Sequence, residues 1–150
     1  MCVRPAESHP IAETFAPADI DSMLHKADYV VLAAPVTPET RGMINAQRLA
    51  AMKRDAYLIN VSRGALIEDQ ALVSALREGR IGGAALDVFE QEPLSEASPY
   101  WDMPNVLITP HSAALTDRLW DRHFELISNN LRRFMGGEPL LGLVQKSRGY

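Results

Sequence analysis

Arg63, Asp87, Glu92 and His111 are the side chains whose types and spacing could do chemistry. Arg63 comes straight after Tyr57-Leu-Ile-Asn-Val61, an apolar run broken only by Asn60, and is followed by Gly64, which lets the backbone turn sharply. A guanidinium there offers a planar fork that can hold a carboxylate with two parallel hydrogen bonds. His111 follows Pro110 at the end of a second such run, Val106–Thr109. A neutral imidazole in that position can shuttle a proton near neutral pH. Glu92 lies with Glu90 in the loop before Pro93. A carboxylate bonded to a histidine orients the ring and stabilises the imidazolium. Asp87 sits inside the apolar run Ala84–Val88, where an acid is costly unless partnered, and at a sheet edge it could accept a bond from a ligand amide. Taken singly, Arg63, Glu92 and His111 could each be an ordinary surface or loop residue. Taken together they describe a task. Arg63 holds a substrate carboxylate or carbonyl, and His111 gives a proton to an oxygen as hydride reaches carbon, or takes it in reverse. Glu92 supports the charged ring. The hydride must come from a cofactor, since no side chain supplies one. His9, His25 and His123 fall in loops or on polar helix faces and join no such set.

The elements that must position this set alternate in type. Tyr29–Ala33, Tyr57–Val61, Ala84–Val88 and Val106–Thr109 read as buried strands. A short helix is expected from Asp19 to about Lys26, with Ile20, Met23 and Leu24 on one face. Asn45 can cap a second helix carrying Leu49 and Met52, with Lys53 and Arg54 at its carboxyl end. Asp69–Arg77 has Leu72, Val73 and Leu76 at helical spacing, and Gly79 is a stop signal. Thr116 can cap a long helix to about Met135, with a stripe of Trp120, Phe124, Ile127, Leu131 and Phe134 ended by Gly136-Gly137. Met1–Pro17 is expected to be mostly loop, with Met1–Arg4 the end of a short strand, and Glu90–Pro104 is read as a long loop. Such alternation predicts an α/β fold with a parallel sheet. Right-handed crossovers then bring the strand ends to one edge, where ligands bind in open sheets. Just past that edge stand Ala34, Pro35, Ser62, Arg63, Phe89 to Glu92, His111 and Ser112.

Composition narrows the classes. The chain has 150 residues, 47% hydrophobic and 23% charged, the profile of a globular domain. A net charge of −4 leaves no electrostatic footprint for nucleic acid. No apolar run approaches the ~20 residues of a membrane span, and the first ten residues have no signal-peptide core. Cys2 is the single cysteine, so an intrachain disulfide and a thiolate metal centre are excluded and a cytoplasmic location is expected.

Four segments carry a family resemblance. They are Pro35-Val-Thr-Pro-Glu-Thr-Arg-Gly-Met-Ile-Asn45, Ile59-Asn-Val-Ser-Arg-Gly-Ala-Leu66, Gly83-Ala-Ala-Leu-Asp-Val-Phe-Glu-Gln-Glu-Pro93 and Asn105-Val-Leu-Ile-Thr-Pro-His111. In this order they strongly resemble the D-isomer-specific 2-hydroxyacid dehydrogenases, from about Ala27 to Gly136. The resemblance implies an oxidoreductase that uses NAD or NADP, an incomplete Rossmann-type doubly wound sheet, and a catalytic set of Arg63, Glu92 and His111. It also implies that Asp87 meets the nicotinamide carboxamide and that Ala34, Pro35, Val61, Ser62, Arg63, His111 and Ser112 line the cofactor. The substrate would be a small 2-oxo or 2-hydroxy acid, with a homodimer as the assembly to test and no metal. The family's G-x-G-x-x-G fingerprint is absent, for no two glycines here have its opening spacing. Residues 1–150 are therefore read as a partial NAD(P)-binding domain with its core at about 19–136 and a tail over 137–150. A substrate domain is not among them. The rival expectation is a non-catalytic remnant acting as a structural or oligomerisation module. Arg4, near the end of the family's second strand, could favour a 2′-phosphate and hence NADP, or be an ordinary terminal residue.

Overall fold

The computed structural model describes residues 2–3, 13–144 and 146. The reading of Arg4 falls outside them. The chain divides into two compact units, Met1–Pro110 and His111–Tyr150.

The first unit is built on four strands, β3 (Tyr29–Leu32), β4 (Tyr57–Asn60), β5 (Gly83–Leu86) and β6 (Val106–Ile108). They lie side by side in chain order and all pair in parallel. Tyr29 pairs with Tyr57 and Tyr57 with Gly83, so the strands start level and their carboxyl ends share one edge. Two short strands, β1 (Cys2–Val3) and β2 (Thr14–Phe15), form a separate parallel pair. The second of these lies in the stretch expected to be loop. Each strand of the main sheet ends one or two residues before its expected limit. Asp87 consequently stands just past β5 rather than inside it, although its N–H still donates to the Asn60 carbonyl at 3.0 Å.

Three helices explain which face is buried. They are α1 (Ile20–Leu24), α2 (Ala46–Ala51) and α3 (Asp69–Arg77). The Asn45 side chain accepts the Arg48 N–H at 3.0 Å and so caps α2 as expected. Gly79, at φ +60°, turns the chain after α3 in the left-handed region that glycine tolerates. Leu24, Leu49, Leu72 and Leu76 from these helices bury against Val30, Leu32, Leu58 and Leu86 on alternate strand positions. The intervening positions lie on the opposite face. There Tyr29, Val31, Tyr57 and Leu107 are exposed, with the Tyr29 and Tyr57 rings stacked at 6.1 Å. A Cβ at Gly83 would meet the Tyr57 ring, so glycine is what lets that ring lie flat on the next strand. In the long loop after β5, Pro99–Asp102 forms a 3₁₀ turn that buries Tyr100.

The second unit contains α4 (Leu119–Met135). Thr116 does not cap it by its side chain. Its carbonyl instead accepts the Leu119 N–H at 3.0 Å, so Thr116 opens a turn before the helix and Arg118 takes the cap position. Gly137, at φ +71°, follows the helix end. The stripe Trp120, Phe124, Ile127, Leu131 and Phe134 is present as read, and all five side chains are exposed, between 59% and 77%.

Candidate active site

Arg63 stands beyond the carboxyl end of β4 in extended backbone, φ −146° and ψ 139°, with an exposed side chain. Its Nη1 donates to the Ser62 carbonyl at 2.6 Å, which folds the guanidinium back over its own turn. Two neighbours hold that turn. The Ser62 hydroxyl donates to the Ala34 carbonyl and ties the end of β4 to the end of β3. The residue after Ala34, Pro35, gives its carbonyl to the Thr40 hydroxyl at 2.8 Å, so this stretch is bonded at both ends. Val61 is 42% exposed, between a buried Asn60 and the loop.

Gly64 links Arg63 to the loop that carries Glu92. A Cβ built on Gly64 would overlap the main-chain atoms of Phe89 and Glu90. Only a glycine lets the two backbones approach so closely. Beyond it, the 3₁₀ turn Gly64–Leu66 is stitched to the chain before α2 by bonds from Ile44 N–H to the Leu66 carbonyl at 3.0 Å and from Glu68 N–H to the Ile44 carbonyl at 2.9 Å. The Glu92 carboxylate accepts the Phe89 N–H at 2.9 Å, which fixes one carboxylate oxygen inside the loop that Gly64 touches. Arg63 and Glu92 are thus neighbours by way of Gly64 and Phe89, though they are 29 positions apart.

Asp87 is 4% exposed and its carboxylate accepts the hydroxyl of Thr109. A buried acid in an apolar setting needs such a partner. Thr109 lies just past β6, and its N–H continues the ladder to the Leu86 carbonyl at 3.0 Å. Thr109 is not among the expected site residues; its signal is a hydroxyl at the strand end, level with an acid one strand away. His111 and Ser112 open the second unit, directly after Pro110. His111 takes φ +53°, a left-handed conformation uncommon for a residue with a side chain, so the chain turns sharply at the imidazole. Among the described residues, no group of three or more His, Cys, Asp or Glu side chains could hold a metal ion.

Parallel strands in chain order, one face covered by helices, and polar residues gathered past the carboxyl ends define a Rossmann-type dinucleotide-binding domain in part. The chain belongs to the D-isomer specific 2-hydroxyacid dehydrogenases, whose NAD binding domain profile matches residues 2–113. It is 47% identical over 128 residues to a glyoxylate reductase from Thermofilum pendens, covering 85% of this chain and 38% of that protein. Among solved structures, a D-isomer specific 2-hydroxyacid dehydrogenase from Xanthobacter autotrophicus Py2 in complex with NADPH and MES superposes with a TM-score of 0.91 at 42% identity, over 99% of this chain and 61% of that one. An NADPH-dependent glyoxylate/hydroxypyruvate reductase from Sinorhizobium meliloti in complex with NADP and sulfate gives 0.90 at 38% identity, over 99% and 48%. The chain therefore spans roughly two fifths to three fifths of the length of these relatives. Their names and complexes agree with a cofactor of the NAD or NADP type. No helix among the described residues is long and apolar enough to cross a membrane.

Proposed function

We propose that this chain is the later part of the NAD(P)-binding domain of an oxidoreductase that interconverts small 2-oxo acids and D-2-hydroxy acids. The observation that carries the reading is the packing of Gly64 on the Phe89–Glu90 backbone, which sets an exposed Arg63 beside the loop holding Glu92. NAD or NADP, when bound, supplies the hydride. Asp87, buried and steadied by Thr109, fits the role of holding the carboxamide end. Ala34, Pro35, Val61 and Ser62 are the wall along which the cofactor would lie, and Ser112 is assigned to the cofactor as well. Arg63 pairs with the substrate carboxylate through a charge-assisted fork. His111 delivers a proton to the carbonyl oxygen, and takes one from the hydroxyl in the reverse direction. Glu92 orients the imidazole and stabilises its charged form. The complexes of the solved neighbours with NADPH and NADP favour the phosphorylated cofactor. The substrate in this reading is a 2-oxo acid, with glyoxylate and hydroxypyruvate the first to test because the similar proteins are named for them. A cytoplasmic location and a homodimer belong to the same reading.

The test is a graft. Residues 2–113 of this chain replace the matching segment of the Thermofilum pendens reductase, and NADPH and NADH oxidation are followed with glyoxylate, hydroxypyruvate and pyruvate. The reading expects turnover in the ordinary enzymatic range of ~1–1,000 per second with at least one of them. A folded graft that leaves all three untouched would refute it. The 150-residue chain by itself is expected to bind NADPH weakly, because its sequence has no glycine turn to hold the pyrophosphate. Micromolar binding in calorimetry, about −8 kcal/mol, would contradict that expectation.

A second reading, a structural or oligomerisation module, draws on the exposed stripe of α4. It expects concentration-dependent association of the chain in sedimentation and no turnover in the graft.

A further inference from the structure

Asn60 is the polar break in the β4 strand, and it is fully buried. Asparagine is depleted in strands, and a buried amide is costly unless both its ends are bonded. Both ends are. The Nδ2 group donates to the Arg63 carbonyl at 2.9 Å, and Oδ1 accepts the Ser62 N–H at 3.1 Å. These two backbone groups lie on either side of Arg63's own N–H and Cα. The main-chain carbonyl of Asn60 accepts the Asp87 N–H at 3.0 Å. One residue therefore touches the turn that carries Arg63 and the strand end that carries Asp87.

We infer that Asn60 is a positioning residue for Arg63: its side-chain amide clamps the backbone on both sides of that residue and sets the direction in which the guanidinium leaves the sheet edge. The clamp needs a donor and an acceptor at fixed length. Leucine has the same branched skeleton, in a larger volume, and supplies neither. A charged aspartate keeps the acceptor for Ser62 and loses the donor to Arg63. Glutamine carries both groups one methylene too far out. The strand keeps its ladder in every case, because that ladder is made by main-chain groups. The inference rests on the proposed reading only in calling Arg63 the substrate's holder, and the geometry of the clamp stands or falls without turnover.

The experiment therefore reads geometry. The 15N,13C-labelled chain is compared with Asn60→Asp and Asn60→Leu by amide exchange and by the shifts of Ser62, Arg63 and Gly64. In Asn60→Leu the Ser62 amide is expected to exchange at least about tenfold faster, as a freed bond would allow. In Asn60→Asp that amide keeps its rate, while Arg63, its Nε–H signal and Gly64 shift. Leu58 and Ile59 stay as they were in both. Unchanged Ser62 exchange in Asn60→Leu, or changes spread evenly along β4, would make Asn60 a packing residue only and overturn the inference. Should either variant fail to fold, the unaltered chain decides. A scalar coupling across the bond from the Asn60 amide to the Arg63 carbonyl is expected, and its absence refutes the clamp. Loss of the clamp with an active graft, or an intact clamp with an inactive one, separates this inference from the oxo-acid reading.

Discussion

Helices α3 and α4 carry the same kind of sequence signal and meet different fates. Both are amphipathic, with apolar residues three or four apart. In α3 the residues Leu72, Val73, Ala75 and Leu76 are all buried against the first unit's sheet and its neighbours. In α4 no residue is buried, and five large apolar side chains stand in a row toward solvent. Periodicity establishes that a segment folds as a helix and which stripe is sticky. It does not say whether the surface that stripe needs is on the same chain. The face of the sheet that carries Tyr29, Val31, Tyr57 and Leu107 repeats the contrast, since on its reverse β3, β4 and β5 bury their side chains and Val106 and Ile108 of β6 are half-buried.

The comparison breaks most readily by truncating one side chain in each helix. Leu72→Ala, at a site 1% exposed, is expected to cost about 2–5 kcal/mol in denaturant unfolding. Phe124→Ala, at a site 75% exposed, should stay within about 0.5 kcal/mol. Equal effects would mean that α4 is packed in solution. Gly64→Ala comes next. Its Cβ has no room against Phe89 and Glu90, so a cost of about 1–3 kcal/mol is expected, with a displaced Glu92 loop in a crystal structure. A neutral Gly64→Ala would remove the link between Arg63 and Glu92.

Tyr100 sharpens the contrast through pH. Its hydroxyl donates to the Asp69 carboxylate at 2.8 Å. Burial first, and then the nearby Asp69 charge and the hydrogen bond, push the phenol well above its ordinary range. A group whose pKa is raised by folding adds stability that is complete below the unfolded value, about 10 for tyrosine, and that is lost as pH rises beyond it. Unfolding followed from pH 7 to 11 should therefore show a fall starting near pH 10 that is smaller in Tyr100→Phe. Tyr100→Phe itself should cost about 1–2 kcal/mol at neutral pH. The smallest effect on stability is expected from Phe124→Ser with Leu131→Ser, within about 0.5 kcal/mol. The same pair should abolish any association seen in sedimentation, and persistence of that association would place the sticky surface elsewhere.

Much of this was legible in the residues. The four strands, the Asn45 cap, the limits of α3 and the stop at Gly79 follow from local propensity and turn chemistry, which tertiary contacts here reinforce. Arg63 and Glu92 were legible as strand-end residues because chain order and strand order coincide in this sheet. Contacts made by main-chain atoms were not. Nothing in the letters says that Gly64 touches Phe89, or that the amide of Asn60 reaches forward to Arg63, since both depend on where the loop after β5 and the turn after β4 settle. Thr116 reads as a cap because a threonine before an apolar stripe has that signature whether or not a further turn intervenes. Thr109 and Asp87 follow the ends of different strands, and their pairing is a matter of register.

In the proposed reading Arg63 and His111 serve one substrate in different ways. Steady-state kinetics on the graft, which already carries residue 111, tests this with Arg63→Ala and His111→Ala made separately. Arg63→Ala is expected to raise KM for glyoxylate by about 10–100-fold, as the loss of a charge-assisted pair would. His111→Ala is expected to lower kcat by about 10²–10⁴-fold, the range of a general acid. Both variants within threefold of the parent in kcat and KM would contradict it.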